Sequence, residues 1–412
     1  MVAVLAEARR AAGAIVTGEP PLAEQFTSVV EIDEAAGLDA KALPTHGGVY
    51  VIADAEGRAI LLAACEDLRR VVPARLSGPA EGRSKRTNLA EVARSVWWTA
   101  TFSPFESALR YHAAVRGLYP KDYRERLGFG SAWFLRGDPG EAIPRITVVK
   151  EYPADGARYV GPFATRADAE ATIHVVEDLF DLCRKYDILR QAPHGKPCEY
   201  WEMGKCPAPC DGRVPMGEYR TAIGRAMDFV AGDRERAFAD LDERMRAAAK
   251  GLQFERAAAL KRSVEQARQH VAHERMRWVA DMRDFRWLII QRTGPRTKSA
   301  KKLMLKPSFV TGGEIREGEA AALAELEAAA PRWLDASNWP ENAAVGDVAE
   351  LSERIWCVWH FVAKGDKAAG LYFRADRLPR EPELISYAQQ RFARPSVTTD
   401  ESTEATAPQQ SS

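Results

Sequence analysis

Residues 157–212 read ARYVGPFATRADAEATIHVVEDLFDLCRKYDILRQAPHGKPCEYWEMGKCPAPCDG, and the interpretation of the whole chain turns on them. A strand-like start ends at Gly161-Pro162, a pair that predicts a turn. Ala169, Ile173, Val176, Leu179 and Phe180 then recur at helical spacing and predict an amphipathic helix. Four of the six cysteines follow, Cys183, Cys198, Cys206 and Cys210, in a loop punctuated by Gly and Pro. Pro207 and Pro209 stiffen the backbone of the last gap. Neighbouring thiolates repel, so a tight set is held ionised by a cation. Four thiolates suit tetrahedral Zn²⁺ or a cubane iron–sulfur cluster, and spacing leaves that choice open. His194 lies in the same loop as an alternative donor. The competing interpretation is four small hydrophobes in a loop. Cys65 and Cys357 stand alone in apolar sequence and are expected in cores.

The string LFDLC…KPCEYWEMGKCPAPCDG resembles the cysteine segment of the UvrC excinuclease family, whose segment closes on C-x-APC-x-G. Tyr159, Gly161, Pro162 and Phe163 fall on that family's YfGPy element, whereas the Cys183 to Cys198 gap is a few residues longer here. The resemblance implies a 4Fe-4S cluster on Cys183, Cys198, Cys206 and Cys210, with zinc as the alternative.

Downstream, LDERMRAAAKGLQFERAAALKRSVEQA predicts two helices broken at Gly251, with Leu241, Met245, Ala248, Leu252, Phe254 and Ala258 at helical intervals. A short hairpin buries little alone and gains by pairing with another. FERAAALKR resembles the UVR motif (FE-x-AA-x-LR) through which UvrC meets the B component of the excinuclease, with Lys261 where Arg is usual. The resemblance implies contacts with that excinuclease partner at Phe254, Glu255, Ala257 and Ala258. The plainer alternative is a helix pair packed within the chain.

Upstream, HGGVYVIADAEGRAILLAACEDLRR predicts two strands around Glu56-Gly57 and a helix interrupted near Pro73. It resembles the start of a GIY-YIG nuclease domain, which cuts phosphodiesters with a carboxylate-held metal, two Tyr and an Arg. Tyr50 keeps the first Tyr. The second motif reads Leu61-Leu62-Ala63-Ala64-Cys65, the Arg position falls on Val71 after Arg69 and Arg70, and the metal-binding Glu position falls on Tyr111 of FESALRYHAAVRGLYP. Three of the four catalytic positions are thus substituted, which predicts a retained fold with an inactive centre. An active endonuclease would need displaced residues such as Arg70 or Glu106 and a divalent Mg²⁺ or Mn²⁺.

The remaining sequence sets limits. Lys+Arg and Asp+Glu both number 58, so nucleic-acid binding needs a local basic face rather than a basic chain. No run approaches a membrane span and no signal-peptide order is present, so a cytoplasmic setting with reduced thiols is expected. Beyond the hairpin, FRWLII, WCVWHFV and AAGLYF predict strands, with an Ala/Glu-rich helix between them. Arg277, Arg286, Arg292, Arg296, Lys298, Lys301 and Lys302, interleaved with Trp278 and Trp287, predict a DNA-binding surface. The alternatives are a solvated strand pair over core tryptophans, or internal pairing with Glu314, Glu317, Glu319, Glu325 and Glu327.

The expected fold class is α/β in the α+β sense: a degenerate GIY-YIG-like sheet, a cysteine-rich loop, a UVR-like helical hairpin and a small mixed C-terminal domain. Its parts are a lead-in (1–40), a nuclease-like domain (41–125), a four-cysteine linker (126–225), the hairpin (226–273), a C-terminal domain (274–395) and a disordered tail (396–412). The expected function is DNA repair of the nucleotide excision type, binding DNA and the helical hairpin of an excinuclease partner without cutting. An active endonuclease and a non-enzymatic metal-cluster regulator are the alternatives.

Overall fold

The computed structural model describes residues 22–77, 89–127, 132–153, 155–294, 303–340, 347–364 and 369–392. Arg296, Lys298, Lys301, Lys302 and the tail at 396–412 therefore lie outside the described residues. The fold is α+β, built on three antiparallel sheets.

The first sheet combines β1 (Ser28–Glu31), β2 (Gly48–Ala53), β3 (Ala59–Cys65) and β4 (Ser95–Ala100) in the order β1-β4-β2-β3. β2 lies inside the sheet and is buried along its whole length, which suits its run of Val, Tyr and Ile. The predicted turn is present: Gly57 has φ 77°, and Asp54 closes the turn by accepting from the Arg58 amide at 2.8 Å. The stretch expected only as a lead-in contributes β1, because Val29 and Val30 find places beside Trp97 and Val96.

α1 (Leu68–Leu76) is not interrupted at Pro73. Asp67 caps it, and burial of Leu68, Val72 and Leu76 outweighs the single backbone bond that proline removes. α2 (Pro104–Leu118) starts where Ser103 accepts from the Glu106 amide, with Pro104 at the first turn.

The second sheet holds β5 (Trp133–Gly137), β6 (Ile146–Val149), β7 (Arg158–Phe163) and β8 (Ala280–Asp281) in the order β6-β5-β7-β8. Gly161-Pro162 forms no turn; both residues lie within β7. Gly161 pairs with Ala280, and a Cβ there would stand 2.8 Å from the Phe134 ring, so close approach explains this glycine. α3 (Arg166–Leu179) is capped by Thr165 and buries Ala169, Thr172, Val176 and Leu179. α4 (Met216–Ala231), α5 (Arg234–Lys250) and α6 (Phe254–Ala272) follow the cysteine loop, with a break at Gly251 as predicted and another at Gly232.

The third sheet runs β11-β10-β9-β13, with β12 also on β10: β9 (Arg286–Thr293), β10 (Met304–Thr311), β11 (Glu314–Glu317), β12 (Ala321–Ala322) and β13 (Gly370–Arg374). α7 (Leu326–Leu334), α8 (Val348–Ala363) and α9 (Glu381–Phe392) accompany it. WCVWHFV, expected as a strand, lies in α8. Asp347 caps that helix, and buried Leu351, Ile355, Val358 and Val362 recur at 3.6-residue spacing, which overrides the strand preference of the aromatic run.

One apolar cluster joins α2, the second sheet and the third: Phe105 on α2, Phe134 and Tyr159 in the second sheet, and Trp287, Val310 and Ile355 in the C-terminal unit. The units therefore share a core rather than hanging on linkers.

Candidate functional site

The cysteine loop follows α3, and each gap between its cysteines is tied. Arg184 donates from Nη1 to the Lys205 carbonyl at 3.2 Å, joining the first cysteine to the third. The Gly195 amide donates to the Cys210 carbonyl at 2.8 Å, joining the second to the fourth. Lys185 and Glu199 stand 3.4 Å apart beside Cys183 and Cys198. Ala208, between the last two cysteines, adopts a left-handed φ of 56°, which bends the CPAPC phrase back on itself. Tyr219 on α4 accepts from the Cys183 amide at 3.3 Å and fixes the loop to the helical core.

Within this frame Cys206 and Cys210 are buried, and Cys183 and Cys198 are half-buried. The hydrogen bond from Cys183 lowers the Cys206 thiol to about 7, assisted by the Ala208 amide and the Arg184 charge, while burial opposes the shift. Cys183 moves the opposite way, raised by that same hydrogen bond and by burial. Burial also raises Cys210, with the nearby charges of Cys206, Asp211 and Cys198 acting in the same direction. Cys183 and Cys206 thus lie within hydrogen-bonding reach of one another, and the donor chemistry of thiols fits a soft cation or an iron–sulfur cluster. Among the described residues, no three His, Cys, Asp or Glu side chains form a finished metal cage. His194 is exposed. Cys357 is buried and pushed up to about 12 by burial, and Cys65 is half-buried in β3.

Sequence reasoning missed Arg184 and Tyr219, whose roles come from contacts across the loop. It also missed two exposed apolar side chains on the loop: Met203 is 61% exposed and Trp201 is 38% exposed, with the Arg213 guanidinium 4.4 Å from the indole centroid. Their place in the phrase EYWEMGK was the available signal, because loop residues between ligands seldom reach a core.

The nuclease-like positions sit differently. Tyr50 is fully buried in β2, and among the described residues its hydroxyl has no well-formed hydrogen bond. Burial, with the Cys65 charge, pushes it up to about 12, and the nearby Arg75 only partly opposes this. Arg69 is occupied by the Leu43 carbonyl at 2.7 Å, and Arg70 is exposed. Val71 is half-buried in α1. Glu106 accepts from the Phe102 amide at 2.9 Å, so it serves the start of α2, and Lys306 lies 3.7 Å from it. Tyr111 faces the first-sheet core and a cavity of about 560 Å³ that Cys65 and His46 also line.

At the hairpin, α5 and α6 bury Leu241, Ala248, Val264 and Ala267. The tip does the reverse: Leu252 is 74% exposed and Phe254 is 66% exposed. Glu255 and Ala258 are exposed and Ala257 is half-buried, so these positions form one open end.

In the basic stretch, Trp287 lies in the shared core and Trp278 packs against it, leaving neither ring free for base stacking. Arg277 is exposed and lies over Trp278, whereas Arg286 lies over Trp339. Arg292 is half-buried within β9. Internal pairing accounts for other cations: Arg275 meets Asp168 at 2.7 Å, and Lys306 meets Glu317 at 3.0 Å. No described helix is long and apolar enough to cross a membrane.

Residues 132–229, which contain the second sheet's main strands and the cysteine loop, match the UvrC/Cho excinuclease middle domain. The UvrABC system protein C of Trichlorobacter lovleyi is 30% identical over 237 residues, covering 57% of this chain and 39% of that protein. The protein of the same name from Geotalea daltonii is 27% identical over 241 residues, covering 58% and 38%. That from Geobacter sp. strain M21 is 27% identical over 295 residues, covering 68% and 44%. The chain spans about two fifths of the length of the curated relatives it matches. No solved structure matches it.

Proposed function

Since the chain is UvrC-like across its middle region, we propose that it serves DNA repair of the nucleotide excision type by recognition and assembly, without cutting at its nuclease-like centre. The observation that carries this reading is the contrast between the gathered thiols of the cysteine loop and the sealed Tyr50. A phenol with its oxygen fully buried is out of reach of a water on a phosphodiester. Of the displaced candidates for cutting, Glu106 is engaged by the Phe102 amide at the start of α2, whereas Arg70 is exposed.

Cys183, Cys198, Cys206 and Cys210 would hold the metal group. A cluster there would cross-link the loop and supply one-electron chemistry, whereas zinc would supply the cross-link alone. The exposed Leu252 and Phe254 at the hairpin tip fit an apolar, helical surface on an excinuclease partner. DNA would meet Arg277 and the cations outside the described residues.

The test pairs two assays on the full chain. Binding to the C-terminal helical hairpin of the excinuclease's B component is expected, and it should fall about tenfold or more for Phe254→Ala. Incubation with a lesion-bearing duplex and Mg²⁺ or Mn²⁺ should give retention without strand cleavage. Cleavage abolished by Glu106→Ala would overturn the reading in favour of an active endonuclease. Absence of both DNA and hairpin binding would overturn it altogether.

A further inference from the structure

We infer that the C-terminal unit is a fixed intramolecular partner of the nuclease-like domain, clasped to it where Glu353 of α8 is gripped by four side chains from α2 and the turn after it. Glu353 is 5% exposed, yet both its oxygens are satisfied from across the interface. His112 Nε2 lies 2.8 Å from Oε2, and Arg116 Nη1 donates to the same oxygen at 3.1 Å. The Tyr123 hydroxyl donates to Oε1 at 3.0 Å, and Arg124 Nε donates there at 3.3 Å.

A carboxylate taken out of water without partners is strongly disfavoured, so four converging donors mark an interface formed as a whole. Arg116 extends the grip by also pairing with Asp347 at the start of α8. Along the same face of α2 the contact becomes apolar, with Phe105 edge-on to Phe361 at 5.4 Å. At its beginning the Ser103 hydroxyl donates to Gln291 of β9 at 2.5 Å.

The clasp therefore covers α2 from its N-cap to Arg116. Gly294 and Ala369 of the C-terminal unit line the same cavity as Tyr111 and Cys65. Its width is thus set by how the two units meet. A unit carried on a hinge would show a wet, shallow contact at this place. This inference stands independently of the proposed function, since it rests on the interface alone.

Hydrogen exchange on the full chain, resolved by peptide, tests it. Glu353→Gln should speed exchange in α2 and α8 by about tenfold or more, while α5 and α6 keep their wild-type rates. Glu317→Gln, which weakens the rim pairs with Arg110 (3.4 Å) and Lys306 (3.0 Å), should leave α2 and α8 unchanged. His112→Gln exchanges the imidazole for an amide of different shape, weakening one of the four contacts, and should give a smaller acceleration confined to the same two helices, which keeps the test sound if Glu353→Gln does not fold. Unchanged exchange in α2 and α8 for His112→Gln, or a uniform rise over the chain, overturns the inference.

Discussion

The cysteine loop and strand β2 each carry residues that the sequence marks as candidates for chemistry, but the fold treats them in opposite ways. In the loop, Arg184, Gly195 and Tyr219 draw four separate cysteines towards one another. In β2, the candidate Tyr50 has its hydroxyl buried with no satisfying hydrogen-bond partner among the described residues. A reactive residue thus signals chemistry only when its neighbours are arranged around it. The loop has an arrangement that extends over 28 residues of sequence, whereas Tyr50 is buried with Cys65 and Arg75 as its near neighbours and no carboxylate acting on it.

This contrast is most exposed to test at the cysteines. Replacing Cys206 or Cys210 by Ser should lower bound metal about tenfold or more and loosen the loop, because thiolate ligation is coupled to folding. Metal content and thermal unfolding of the two variants check this. Metal retained at the wild-type level in both would remove the loop's side of the contrast.

Acid should act next, through the Glu353 clasp. Burial raises the Glu353 carboxyl, but hydrogen bonds from His112 and Tyr123 and the charges of His112 and Arg116 outweigh it, leaving a net value below the ordinary 4.5. Its folded-state value is therefore depressed, so the stabilisation is complete above about 4.5 and is lost as pH falls through the lower folded value. Asp347 also faces Arg116, and its carboxyl is likewise held below its ordinary value despite partial burial, adding to the same trend. Glu353→Gln should flatten the acid limb of a stability–pH curve. An unaltered acid limb would show that the interface does not carry it.

Smaller effects bear on the nuclease-like side. Glu106→Ala removes the acceptor for the Phe102 amide and should cost about 1 kcal/mol of stability, measured by denaturant unfolding. A larger change in DNA cleavage than in stability would restore Glu106 to catalysis. Tyr50→Phe should be the mildest, within about 1 kcal/mol of wild type and of either sign, because it deletes a buried hydroxyl with no well-formed hydrogen bond among the described residues. A strong loss on that substitution would mean that the hydroxyl has work the fold does not display.

Much of this was legible in the sequence because it was periodic or punctuated. α3, the breaks at Gly232 and Gly251, the β2–β3 turn and β13 follow from spacing and turn chemistry. The errors came from tertiary context. Gly161-Pro162 resembles a turn until Phe134 is seen against Gly161, and WCVWHFV resembles a strand until its apolar positions are counted with Leu351. Tryptophans among cations suggested a stacking surface, yet Trp287 belongs to the shared core. The cysteines could be named from the sequence, but the ties that gather them could not, since Lys205 and Tyr219 lie far along the chain from Arg184 and Cys183. Glu353 gave no local sign at all, because its partners begin 241 residues earlier.

Whether the loop is a metal centre and β2 a silent one is decided by the iron, sulfide and zinc content of the full chain purified without oxygen, read with its visible absorption spectrum. About four irons with matching sulfide and broad visible absorption are expected. Both should be lost in Cys206→Ser and retained in Tyr50→Phe. A wild-type chain that folds while holding neither iron nor zinc would contradict the metal centre.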